Sequence, residues 1–165
     1  MVKLDRITVI NIVVLSLILG AILGLLAPVP YIGTIALTSV LVLSAPLVIV
    51  YMIMDGKLDL TTTTDSIIHG AIIGFASNTT FSVVYAIVMV ILSKAFHYSP
   101  NLVLTAMITE SPVWLLITFI IFIGILCATT NAFTGFSTYY IINFIRDVYE
   151  KNHPQLPTDD EDFKI

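Results

Sequence analysis

Apolar residues fill long uninterrupted runs of this chain, and polar residues gather between them. Four runs without an Asp, Glu, Lys or Arg cover residues 7–27, 33–54, 67–93 and 113–133. Each has about 20 residues or more, the length at which an α-helix crosses the hydrocarbon core of a bilayer. The pattern predicts an all-α fold, an integral membrane bundle of four transmembrane helices.

Prolines and polar residues mark the connections between these runs. Pro28 and Pro30 block helix continuation, which predicts a tight turn after the first span. Pro46 lies inside the second run and removes one backbone hydrogen bond, so we predict a kink there. Residues 55–66, DGKLDLTTTTDS, form a polar loop before the third run.

Two serine–proline pairs frame the connection between the third and fourth runs. Ser99 precedes Pro100 and Ser111 precedes Pro112, and each pair is typical of an N-cap followed by proline at the first helical position. We therefore predict a helix over residues 100–110, which is too short to span. It lies at the outer interface or dips into the bilayer as a re-entrant segment, and the sequence leaves both open.

A helix of different character follows the last predicted span. Gly135 offers a hinge, and residues 136–151 place apolar and charged side chains on opposite faces, which predicts an amphipathic helix leaving the membrane. Residues 152–165 are acidic and contain prolines, so we predict a disordered tail, with a partner-docking tail as the alternative. Residues 1–151 then make one domain. The apolar face of the amphipathic helix is formed by Ile141, Phe144, Ile145 and Val148.

The composition agrees with a lipid environment. The chain is 58% hydrophobic and 11% charged, with a formal net charge of −4. A soluble domain is about 45–50% apolar and about 25% charged, so this chain cannot cover a globule with polar surface. The first run is also longer than the apolar core of a signal peptide, and we expect it to be retained.

The distribution of basic residues predicts the orientation. Because four spans return the chain to its starting side, both termini and the 55–66 loop share one face, where most Lys and Arg residues lie. The positive-inside rule then predicts a cell-membrane protein with both termini in the cytoplasm. The basic residues are scattered and form no patch of the kind that binds nucleic acid. The cytoplasmic set is Lys3, Arg6, Lys57, Arg146, Lys151 and Lys164, against Lys94 on the other side.

The stretch HGAIIGFASNTT puts small and polar residues inside the third span. Small residues four apart share a helix face and let two helices approach closely in lipid, where a hydrophobic driving force between helices is lacking. The stretch SLILGAILG in the first span has the same spacing of small residues. We favour a reused packing motif over a gene duplication, because the two stretches lie at different depths in the membrane. The predicted helix-packing residues are Gly20, Gly24, Gly70, Gly74, Asn78, Gly124 and Ala128.

Two clusters of polar residues, one in the third span and one in the fourth, suggest an alternative to helix packing, namely a path for a small solute. Threonine hydroxyls also bond back to their own helix, and the helical rise sets the two clusters about 10 Å apart in depth. His69, at the inner edge of its span, is a proton-sensing group or an interfacial histidine without a role. The clusters are Asn78, Thr79 and Thr80 in the third span and Thr129, Thr130 and Asn131 in the fourth.

Catalytic chemistry is not visible in the sequence. No charged residue lies near the centre of a span, where ion-coupled transporters need one, and the single cysteine, Cys127, excludes cysteine-pair metal sites. We expect no catalytic, cofactor-binding or metal-ligating residue.

The order of span, PVPYIG, span, polar loop and HGAIIG, over about residues 7–92, resembles small uncharacterised prokaryotic membrane proteins, some of them archaeal, with glycine-zipper helices. That resemblance implies no activity. We therefore predict a non-enzymatic accessory or assembly subunit in the lipid bilayer, packing within itself, with a second copy or with a membrane-protein partner. An oligomeric channel or uncoupled small-solute transporter is the alternative.

Overall fold

The computed structural model describes residues 6–58 and 62–152, and these residues contain five helices and no strand. Most of the predicted tail at residues 152–165 therefore lies outside the described residues, as do Lys3 and Lys164. The helices are α1 (Arg6–Leu26), α2 (Ile32–Met54), α3 (Thr63–Phe96), α4 (Leu102–Glu110) and α5 (Val113–Asn152).

Four of the five helices are long and apolar enough to cross a membrane, namely α1, α2, α3 and α5. The predicted all-α membrane bundle is thereby confirmed. Large apolar side chains cover the outside of these helices, for example Ile18, Ile87 and Phe122, which are 51%, 55% and 58% exposed. Water would leave this surface unfavourably solvated, whereas lipid chains match it. The chain is a multi-pass membrane protein in contact with the bilayer.

Helix α3 is the centre of the bundle. It packs along α5 and α1 over long interfaces and touches α2 and α4 over shorter ones. Helices α1 and α3 run in the same direction, and α2 and α5 run in the opposite one. We call the end formed by the α1–α2 turn, α4 and the start of α5 the α4 end of the bundle.

Helix α2 is not regular throughout. A π-helical segment, Ser39–Leu43, separates two α-helical parts, Ile32–Thr38 and Ser44–Met54. Pro46, at which the sequence predicts a kink, lies three residues after the π segment, and the structure shows a change of helix type beside it. Proline removes one N–H from the hydrogen-bond ladder, and both prolines and π segments interrupt the regular bonding of an α-helix.

The boundaries of α4 and α5 differ from the predicted ones. Helix α4 begins after Asn101, whose side chain accepts a hydrogen bond from the Leu104 N–H at 3.1 Å. The predicted cap at Ser99 with Pro100 as first helical residue is therefore wrong. Helix α5 runs through Gly135 without a break, so the last span and the amphipathic helix form one helix of 40 residues.

Candidate functional site

Small residues bring α1 and α3 into backbone contact. A Cβ atom at Gly20 would overlap the carbonyl oxygen of Ser77, and one at Gly24 would lie 2.8 Å from the carbonyl oxygen of Phe81. Both pairs advance by four residues in the same direction, as in two parallel helices joined along one face. No side chain larger than hydrogen fits at either position of α1 without moving α3.

The N-terminal part of the same face of α3 meets α5 in the same way. A Cβ at Gly70 would overlap the carbonyl oxygen of Asn131, and one at Gly74 would lie 2.5 Å from that of Cys127. The Ser66 hydroxyl donates a hydrogen bond of 2.6 Å to the carbonyl oxygen of Gly135. These contacts step along α3 and α5 in opposite directions, as antiparallel helices require. The small-residue face of α3 is thus covered by two helices of the same chain.

Gly124 and Ala128 take a different position. A Cβ at Gly124 would lie 3.0 Å from the ring of Phe75, a side chain rather than backbone. Ala128 is half-buried and lines a shallow groove with Ala71 and Phe75. The α5 pair therefore touches the edge of an aromatic ring and does not form a backbone contact.

Asn131 joins α5 to the irregular part of α2. Its side chain is completely buried. Its Oδ1 accepts hydrogen bonds from the backbone N–H of Ala45 at 2.9 Å and from the Ser44 hydroxyl at 2.8 Å. Because the backbone N–H of Ala45 is a donor only, this contact also fixes the orientation of the amide. Its Nδ2 lies within hydrogen-bond distance of three carbonyl oxygens, those of Val40 at 3.2 Å, Leu41 at 3.0 Å and Cys127 at 3.0 Å.

These contacts have a physical cause in the sequence of α2. A π-helical segment and a proline leave backbone groups without their usual helical partners. In lipid such backbone groups must find hydrogen-bond partners within the protein, because the hydrocarbon contains no water. The carboxamide of Asn131 supplies an acceptor to Ala45 and donors to Val40 and Leu41, and so bridges the interrupted ladder. Pro46 was a signal that a partner is needed, but the sequence does not say which residue supplies it.

The threonines of both polar clusters bond back to their own helices. Thr79 and Thr80 donate to the carbonyl oxygens of Phe75 at 2.8 Å and Ala76 at 3.1 Å. In α5, Thr129 and Thr130 do the same, with 3.0 Å bonds to the carbonyl oxygens of Ile125 and Leu126. Within residues 6–58 and 62–152, the hydrogen bonds do not join the two clusters.

Asn78 has a different environment from Asn131. Its side chain is 3% exposed, and its Nδ2 has no hydrogen-bond partner among the described residues. It lines a cavity of about 740 Å³ at the α4 end of the bundle, together with residues of α2, α4, α5 and the α1–α2 turn. The sequence predicted Asn78 as a helix-packing residue and did not indicate the cavity.

Two further residues that could carry chemistry are Cys127 and His69. Cys127 is buried against α3, and His69 is 7% exposed. In the part of the chain that the structure describes, His, Cys, Asp and Glu side chains form no group of three that could hold a metal ion. No protein-family model, curated protein or solved structure matches the chain.

Proposed function

We propose that the protein is a non-enzymatic accessory or assembly subunit of the membrane, which docks a partner protein through the last part of α5. The observation that carries the proposal is an exposed apolar stripe on this segment. Within the stripe, exposure runs from 42% at Val148 to 69% at Phe144. Its members are Ile141, Phe144, Ile145 and Val148.

The length of α5 supports a partner other than lipid. A helix of 40 residues is about 60 Å long, whereas the hydrocarbon core of a bilayer is about 30 Å thick. Since the helix has no break at Gly135, its end projects away from the bilayer and does not turn to lie along the surface. Lipid chains therefore cannot cover the stripe over its whole length.

The charges beside the stripe support the same proposal. Helices that lie on a membrane surface carry an excess of Lys and Arg on the polar face. Here Arg146 and Lys151 are balanced by Asp147 and Glu150, so the segment has no net charge among these residues. A balanced polar face beside an apolar stripe is typical of a helix that packs against another protein helix.

The helix faces that contain the glycines are not available for docking a partner. Gly20, Gly24, Gly70 and Gly74 already contact neighbouring helices of this chain. The small residues therefore hold the bundle together, and we place the docking surface on α5. The alternative, an oligomeric channel or uncoupled transporter, has less support, because the threonines bond to their own helices and the amide of Asn131 is fully used.

We propose the cytoplasm as the site of docking, in a cell membrane. Lys57 and the end of α5 share one end of the bundle, and the positive-inside rule puts that end in the cytoplasm. Lys57 forms an ion pair with Asp55, and this hydrogen bond raises the pKa of Lys57.

Site-specific photocrosslinking in cells tests the proposal. A benzophenone amino acid replaces Ile145 on the stripe or, as the matched control, Asp147 on the opposite face. We expect a crosslink to one protein of defined mass, or to a second copy of the chain, from position 145 and not from 147. Crosslinks only to lipid, or equal yields from both positions, would contradict the proposed docking surface.

A further inference from the structure

The cavity at the α4 end lies where α2 separates from α5. The first part of α2, Ile32–Thr38, packs on α1, whereas the π segment and the second part pack on α5. At Asn131, α5 is bonded to four residues of α2, so the two helices are joined there. Toward the α4 end the cavity lies between them, with α3 as its floor and α4 beside its mouth. The cavity is therefore a wedge that is closed on one side by the Asn131 contacts and open at the α4 end.

The length of the cavity matches the hydrocarbon of one leaflet. Val113, at the start of α5, and Ile123 both line it, and they are ten residues apart, or about 15 Å along the helix. The hydrocarbon core of a bilayer is about 30 Å thick, so the cavity reaches about half-way through it. An occupant that enters from the α4 end therefore fits within one leaflet.

The lining is apolar at depth and polar at the mouth. None of the lining residues is charged, and Asn78 at the deep end is 3% exposed, so its amide presents almost no polar surface to an occupant. Tyr31, Thr34 and Asn101, at the mouth, are exposed and carry hydroxyl or amide donors. The apolar walls match a hydrocarbon chain, and the donors match the ester carbonyl oxygens from which such a chain begins in a phospholipid.

A transmembrane helix of a second copy fits this cavity less well. Such a helix is about 10 Å wide and crosses both leaflets. A helix in the cavity would meet the α2–α5 contact at Asn131 on its way through the other half of the membrane. A hydrocarbon chain ends within one leaflet and does not reach that contact.

We propose that the cavity binds one acyl chain of a phospholipid from the leaflet at the α4 end, with the ester group at the mouth and the chain end beside Ile123. Its volume of about 740 Å³ lies within the range of about 300–1,000 Å³ usual for small-molecule sites. In lipid, close packing rather than a hydrophobic driving force holds apolar groups together, so a chain between three helices is held more firmly than one on the outer surface. This inference adds a lipid-binding site to the accessory role and does not depend on it.

Photocrosslinking of the full-length protein tests this site. The probe is phosphatidylcholine with a diazirine at the end of one acyl chain, and it is added to the bilayer before the protein is extracted in mild detergent. We expect native mass spectrometry to show one probe molecule on each chain, and its crosslink to map to Ile123 or its neighbours in the cavity. Lipids on the outer surface, for example beside Ile18 or Phe122, exchange with detergent and are lost.

Two variants and a matched control distinguish the cavity from the outer surface. Ala86→Phe fills the cavity from α3 and Leu37→Trp narrows it from α2, and we expect each to remove the retained probe. Leu37 is 58% exposed, so Leu37→Trp tests the site even if Ala86→Phe does not fold. Ala95→Phe, on an exposed part of α3 outside the lining, keeps the probe.

Four results would overturn the inference. They are a wild-type protein that retains no probe, equal retention in the cavity variants and in Ala95→Phe, crosslinks confined to the outer surface, and a second copy of the chain crosslinked in place of lipid at Leu37 when a benzophenone amino acid is put there.

Discussion

A single buried side chain holds the irregular part of α2 to α5. Asn131 contacts two donors and three acceptors, and four of these five groups belong to α2. A helix in lipid cannot leave such groups unpaired, so the π segment and the asparagine depend on each other. The predicted polar path contains this residue, but its amide has no hydrogen-bonding capacity left for a passing solute.

We expect Asn131→Leu to destabilise the protein by about 2–4 kcal/mol, because it leaves buried backbone groups of α2 without partners. Helical circular dichroism during unfolding by a denaturing detergent measures this loss. Thr130→Val is the matched control and changes stability by less than about 0.5 kcal/mol, since its hydroxyl bonds only to its own helix. Equal effects of the two variants would show that the Asn131 contacts are not needed.

The proline in α2 provides a second measurement. Pro46→Ala restores an N–H and lets α2 close a regular turn, so we expect it to offset part of the cost of Asn131→Leu. A double-mutant cycle should give a coupling of about 1 kcal/mol or more. Additive effects would mean that Asn131 does not compensate for the proline.

At the scale of helices, close backbone contact determines which elements are neighbours. Gly20 and Gly70 each face a carbonyl oxygen of another helix, whereas Gly124 faces a flexible ring. Backbone cannot move aside without shifting a whole helix, but an aromatic ring can rotate. The three glycines lie in similar small-residue patterns of the sequence, and only the atoms that they contact in the folded chain distinguish them.

The same substitution at these glycines should therefore give different results. We expect Gly20→Ala and Gly70→Ala to cost about 1–3 kcal/mol by forcing the helices apart. Gly124→Ala should be neutral or stabilising by up to about 1 kcal/mol, because alanine is the better helix former. Unfolding measurements on the three variants check this order, and a cost at Gly124 equal to that at Gly20 would contradict it.

At the scale of the molecule, four long helices place Arg6, Lys57 and Asn152 at one end of the bundle. Lys94 lies at the opposite end, just before the last residues of α3. Helix α5 extends past its neighbours and carries the exposed stripe. Because a polar loop cannot remain inside the hydrocarbon, this arrangement fixes which residues reach the same side of the membrane.

Labelling with a membrane-impermeant maleimide checks the arrangement. We expect Lys57→Cys and Lys151→Cys to be labelled from the same side and Lys94→Cys only from the other. The unsubstituted chain is the control, and its single cysteine, Cys127, should not react because it is buried. Labelling of Lys57→Cys and Lys151→Cys from opposite sides would rule out the four-span topology.

The sequence alone determined the solvent of this protein and the number of its long helices. A chain with so few charges must bury its apolar runs in lipid, and lipid admits runs of this length only as helices. Local capping was harder to predict, since Ser99 and Asn101 are both residue types that cap helices well, and the structure has Asn101 as the N-cap.

The tertiary structure decided which helices touch, which asparagine is satisfied and where the cavity lies. Gly70 meets α5 and Gly20 meets α3 through residues more than fifty positions away. Asn131 and Asn78 have the same chemistry, yet one is fully bonded and the other lines a cavity. Periodicity places a residue on a face of its own helix, but the register between distant helices depends on close packing of all of them at once.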